Sequence, residues 1–131
     1  MNITEKIKLK AICHLINNKS YEEAMKRTDA LILGTTCIRK CINLKVQCLL
    51  ELERYEEAHD ILKDRFPYVM IDDDDLTAIK YLSIVHQNLG NDIQAKKYSN
   101  SYKIISGTKE DRARFLCEQE EKTDTTYEKF L

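Results

Sequence analysis

A chain of 131 residues is the length of one ordinary domain, enough for one core or one short repeat array. Apolar residues at 43% support a folded interior, while 21 Lys+Arg against 22 Asp+Glu leave a net charge of -1 and remove the electrostatic footprint of a nucleic-acid or membrane-surface binder. Three Gly, one Pro and no Trp are too few turn formers for an all-β fold, so the composition points to helices.

In chain order, Ile7, Ala11, Ile12, Leu15 and Ile16 place an apolar stripe at helical spacing on a first helix. Ser20-Tyr21-Glu22-Glu23 reads as a capping box opening a second helix over 20–33, with Gly34 supplying a left-handed end. A third helix covers 36–51. A fourth runs over 54–65 and is stopped by Pro67. The run Asp72-Asp73-Asp74-Asp75 opens a fifth helix to residue 88, followed by Gly90, and a sixth covers 92–105, ended by Gly107. Thr108-Lys109-Glu110-Asp111 starts a seventh over 109–122, and 123–131 reads as a flexible tail. Seven helices with short connections leave no room for a sheet.

No stretch approaches about 18 uninterrupted apolar residues, so no bilayer span is expected. Residues 1–10 alternate charged and apolar side chains and contain no signal-peptide core. The five cysteines (Cys13, Cys37, Cys41, Cys48, Cys117) are odd in number and are read as reduced thiols. The expected home is the cytoplasm, with the nucleus also open.

The chain also repeats itself. Tyr21-Glu22-Glu23-Ala24 returns as Tyr55-Glu56-Glu57-Ala58, 34 residues on, and Asp92-Ile93-Gln94-Ala95 is a weaker third copy. A helix–turn–helix period of 34 residues with a small residue early in the second helix resembles the tetratricopeptide repeat (TPR) family. The residues that carry the resemblance are Ile12, Leu15, Tyr21, Ala24 and Leu31, then Val46, Leu49, Leu52, Tyr55, Ala58 and Leu62, then Leu82, Ser83, Leu89, Gly90, Ala95 and Tyr102. The family's aromatic early in each first helix is replaced by Lys8, Ile42 and Ile79. The resemblance implies an all-α fold of three stacked antiparallel hairpins (5–36, 39–70, 76–107) closed by the seventh helix. Ala24, Ala58 and Ala95 would then mark close helix crossings.

It also implies a concave groove that holds a peptide or helix of a protein partner. On the inner helices, the groove-facing positions are Lys6, Leu9, Lys10, Cys13 and Ile16; then Lys40, Asn43, Leu44, Gln47 and Leu50; then Thr77, Lys80, Tyr81, Ile84 and Asn88. Four lysines and no carboxylate suit an acidic segment or a C-terminal carboxylate. The expected partner-binding residues are Lys6, Lys10, Lys40, Asn43, Gln47, Lys80, Tyr81 and Asn88. Chaperone-binding members of the family use a carboxylate clamp of Lys, Asn and Arg. Lys10, Asn43 and Lys80 fall near comparable places, but Cys13 replaces an Asn and the third inner helix has no Arg. The expectation is therefore a clamp-free groove.

Cys37, Cys41 and Cys48 share a helical face, but CxxxC is not a common zinc spacing, so they read as packing thiols. Cys13 and His14 are sequence neighbours and point about 100° apart on a helix, so they make no nucleophile pair. Asp72–Asp75 lacks the alternating ligands of a calcium loop. The expected function is a non-enzymatic adaptor without cofactor or metal, chaperone-related work being one form of it. A fixed subunit of a larger particle is an alternative, since Lys45-Val46-Gln47-Cys48-Leu49 with Tyr55-Glu56-Glu57-Ala58 resembles the large TPR subunit of the signal recognition particle. A cysteine-based redox sensor or enzyme is the rival from another class.

Overall fold

The computed structural model describes residues 2–63 and 72–107. Among these residues it is all-α, with six helices and no strand: α1 (Ile3–Asn17), α2 (Tyr21–Ile32), α3 (Ile38–Glu51), α4 (Tyr55–Leu62), α5 (Asp73–Asn88) and α6 (Asp92–Ile105). The chain divides into two compact units, one holding α1–α4 and the other α5–α6. The expected seventh helix with Cys117, the tail, and Pro67 all lie outside the described residues.

The three helix–turn–helix connections share one backbone geometry. Lys19 (φ 62), Glu53 (φ 58) and Gly90 (φ 79) each take the left-handed conformation. In each turn the next N–H reaches back five residues: Ser20 to Leu15 O, Arg54 to Leu49 O and Asn91 to His86 O, all at 2.8 Å. A second bond closes each turn inside the first, from Lys19 N to Ile16 O, Glu53 N to Leu50 O and Gly90 N to Gln87 O. This pair of bonds is the Schellman closure, which satisfies carbonyls that the ending helix leaves open. The spacing of the left-handed residues, 34 and then 37, matches the sequence echo. Only the third turn supplies the glycine that this conformation favours.

Local sequence decides how each following helix starts. Asp72 is extended (φ -100, ψ -177), and its side chain accepts from Asp75 N while Asp75 accepts from Asp72 N, a complete capping box. The acidic run thus serves a helix start. Ser20 behaves otherwise. Its ψ of 62 belongs to the turn, and its hydroxyl caps no amide, so the expected capping box is absent. Gly34 likewise does not take the left-handed form expected of it. The third helix begins at Ile38 rather than Thr36, with Cys37 at its N-cap, and ahead of it the Thr36 N–H and hydroxyl both donate to the Glu5 carboxylate (3.4 and 3.5 Å).

In the first unit α1 packs on α2, α2 on α3 and α3 on α4, and α1 also reaches α3. Leu9, Ile12 and Ile16 from α1 meet a core that includes Met25, Leu31, Val46, Leu49 and Leu62. Burial of a side chain such as Ile12 contributes about 1.5–3 kcal/mol. Ile7, expected on that face, is instead exposed, and Glu5 is buried in its place. Burial pushes the Glu5 pKa up, but hydrogen bonds from the Thr36 and Asn2 backbones and the Thr35 hydroxyl outweigh it and hold the carboxyl below its usual range.

In the second unit Ile79 and Ile105 are fully buried, with Leu76, Tyr98 and Tyr102 packed against them. The Ser83 hydroxyl donates to Ala95 O at 3.2 Å, which fixes a close approach of α5 and α6. Ala24 and Ala58 are fully buried, and Ala95 nearly so. Ala58→Leu is therefore expected to overpack α4 and destabilise the chain by roughly 1–3 kcal/mol. Urea melts compare the two proteins, and wild-type stability in the variant would show that a larger side chain fits there.

Candidate functional site

Residues 6, 10, 13 and 17 follow one another at spacings of three and four, so they share one face of α1. In the first unit this face and the start of α3 enclose an open cleft of about 550 Å³. Lys6, Lys10, Cys13, His14 and Asn17 line it from α1, and Lys40 lines it from α3. Leu9 sits beneath them, nearly inaccessible. The described lining holds three lysines and no carboxylate. The acid of the same helix, Glu5, faces the core and the Thr36 amide instead.

Of the expected partner-binding residues, the structure brings Lys6, Lys10 and Lys40 to one cleft. Asn43 does not reach a solvent-facing surface: it is buried at 6% exposure, so it is withdrawn as a groove donor. Gln47 is half-buried on α3. Lys80, Tyr81 and Asn88 belong to α5 in the second unit: Lys80 and Asn88 are exposed, Tyr81 is half-buried, and Asn88 Nδ2 donates to Ile84 O at 2.8 Å. Ile16, also expected at the groove, is core. His14 and Asn17 were not anticipated. The signal for them was available, because they lie four and seven residues beyond Lys10 on the same face.

The cleft offers cations and hydrogen-bond donors over an apolar floor. Such a surface holds carboxylates by charge-assisted bonds, and exposed lysines of this kind act mainly on association rate and specificity. His14 Nε2 lies 3.0 Å from Asn18 Nδ2, within one turn of its own helix. On the other flank of α2, Arg54 holds Glu57 through two nitrogens (2.9 and 2.8 Å) and Glu22 through a third (3.2 Å), tying α2 to α4. Hydrogen bonds from Arg54 hold the Glu57 carboxyl below its usual range. These are exposed pairs of small energetic weight.

The thiols sort by burial. Cys41 and Cys48 are fully buried. Burial pushes Cys41 up to about 12, with the neighbouring Cys37 adding to it, and pushes Cys48 up to about 11, with Glu22 and Glu51 adding. Cys13 is exposed in the cleft, and Cys37 is half-buried with its Sγ 2.9 Å from the Thr35 hydroxyl. The thiolate is the reactive species, so iodoacetamide should alkylate Cys13 at least about tenfold faster than Cys41 or Cys48 in the native protein. Peptide mass mapping at timed quenches reads this, and equal rates would mean that the buried face of α3 opens readily. Among the described residues no group of three or more His, Cys, Asp or Glu side chains is placed to share a metal ion, and no helix is long and apolar enough to cross a membrane. Comparison of the chain with protein-family models, with curated proteins and with solved structures finds no match.

Proposed function

We propose that this chain is a TPR-like, non-enzymatic adaptor that holds an acidic segment of a protein partner in the lysine cleft between α1 and α3. The observation that carries the reading is the convergence of Lys6, Lys10 and Lys40 from two helices on one open cleft without a carboxylate among its described lining residues. The repeat architecture is part of the same reading. Its support is the identical closure of three turns at Lys19, Glu53 and Gly90, the buried alanines at matching register, and the packing of α3 against both α1 and α2. With Asn43 buried and Cys13 at the cleft, the ligand is an acidic stretch recognised by charge rather than a terminus gripped by an Asn-based clamp.

The test is titration of the chain with acetylated hexaglutamate amide, followed by amide NMR shifts. Shifts centred on Lys6, Lys10 and Lys40 that fade with added salt support the reading. Their absence at millimolar peptide removes it.

A further inference from the structure

A second recess lies in the first unit and uses another face of the first hairpin. Its lining comes from α1 (Lys8, Ala11, Ile12) and α2 (Arg27, Ala30, Leu31). On α1, Lys8 lies 160° from Lys10 around the helix, so this recess and the lysine cleft open on different sides. The recess exists because both facing positions, Ala11 and Ala30, are small, which leaves Ile12 and Leu31 as its floor. Its volume is about 250 Å³. That is below the roughly 300–1,000 Å³ of a small-molecule site, and it suits the insertion of one side chain. Pockets of this kind are where the energetic anchors of protein interfaces sit.

The rim selects the occupant. Lys8 and Arg27 place two cations at the mouth. Arg27 Nε bonds Glu23 at 3.3 Å, but both side chains are about half exposed, and such a pair yields readily to another carboxylate. A second copy of the same recess would set Lys8 and Arg27 against their own equivalents across a two-fold axis, which like charge disfavours. We propose that this recess is a docking socket for one large apolar side chain of a partner segment whose flanking residues are Asp or Glu. The socket is a second contact point, separate from the lysine cleft.

The probe is acetyl-Asp-Glu-Leu-Glu-Asp-amide, titrated into the ¹⁵N-labelled chain of 131 residues. Amide shifts are expected at Ala11, Ile12, Ala30 and Leu31. The peptide with Ala in place of Leu should bind at least about tenfold more weakly, because the anchor is gone. The peptide with Gln in place of every acid should weaken comparably. Ala30→Leu fills the socket from an exposed position and should abolish these shifts, with circular dichroism reporting its helicity. Lys8→Glu together with Arg27→Glu should weaken the acidic peptide about tenfold or more. Equal binding of the Leu and Ala peptides, or of the acidic and Gln peptides, overturns the proposal. So does an absence of shifts at these residues at millimolar peptide. Concentration-dependent shifts without any peptide would assign the recess to a second copy and overturn it too. Shifts at Lys6, Lys10 and Lys40 are read separately, so failure of the cleft and failure of the socket are distinguishable.

Discussion

Reversal of Lys10 and Lys40 together, as Lys10→Glu with Lys40→Glu, is expected to weaken hexaglutamate binding about thirtyfold or more while leaving the helical spectrum intact. Both side chains are exposed and line one cleft from different helices, so the change removes two attractions and adds two repulsions without touching the core. A charge-assisted bond contributes roughly 1.5–3 kcal/mol when shielded and about 0–1 kcal/mol when exposed. Taking the exposed end for each lysine and adding the new repulsion gives roughly 2 kcal/mol, which is the stated factor. Salt should compress the difference between the two proteins, since the screening length falls from about 10 Å at 0.1 M to about 3 Å at 1 M. Unchanged binding in the reversed protein would move attention to other surfaces. Lys80→Glu, in the second unit, measures separately whether the same ligand reaches α5.

Ile79→Ala is expected to destabilise α5 and α6 by roughly 2–5 kcal/mol. Ile79 is fully buried and forms a small core with Ile105, roofed by Leu76, Tyr98 and Tyr102. Removing it deletes the transfer free energy of the lost methylenes and leaves a void that two helices cannot easily close. A loss of this size is a large part of the stability of a domain of this length. Hydrogen exchange of the α5 and α6 amides, together with urea melts, reads the effect. A cost under about 1 kcal/mol would show that these helices draw their stability from elsewhere.

The existence of all six described helices was legible in the sequence because periodicity and punctuation agreed. The acidic run at Asp72, the Gly90 turn and the end of α6 at Ile105 stand where they were expected. Faces were harder to read than elements. On α1, Ile3 and Ile7 offer one apolar edge and Leu9, Ile12 and Ile16 another, and single-helix periodicity does not choose between them. The buried edge is the one that also carries Glu5, whose carboxylate accepts from the Thr36 amide 31 residues away. A polar residue in the core is what a binary pattern misses, because its partner lies outside the helix that carries the pattern.

Asn43 likewise lies in the core, at 6% exposure, where the pattern of its own helix did not place it. Ser20 shows the opposite failure. Its sequence context matches a capping box, but the turn spends the Ser20 backbone on the bond to Leu15 O. The turn geometry itself was signalled by glycine only once. Lys19 and Glu53 adopt it without glycine, held by the two bonds that close each turn. The cleft was half legible. Lys6, Lys10 and Lys40 followed from the groove positions that the repeat resemblance implies, while His14 and Asn17, four and seven residues beyond Lys10, lie on the same helical face outside those positions.

The local closure of the turns bears on the order in which the protein is made. Each turn is sealed by bonds spanning at most six residues, and the packing that follows joins helices adjacent in the chain. Chains dominated by such short-range contacts fold in microseconds to milliseconds. A ribosome adds about 5–20 residues each second, so one helix–turn–helix unit takes seconds to emerge. The first pair, α1 with α2, is therefore made before α3 leaves the exit tunnel, and its inner apolar face is the surface that α3 joins. Synthesis order thereby becomes assembly order, and the apolar face of each pair waits only for the helix that follows it in the chain.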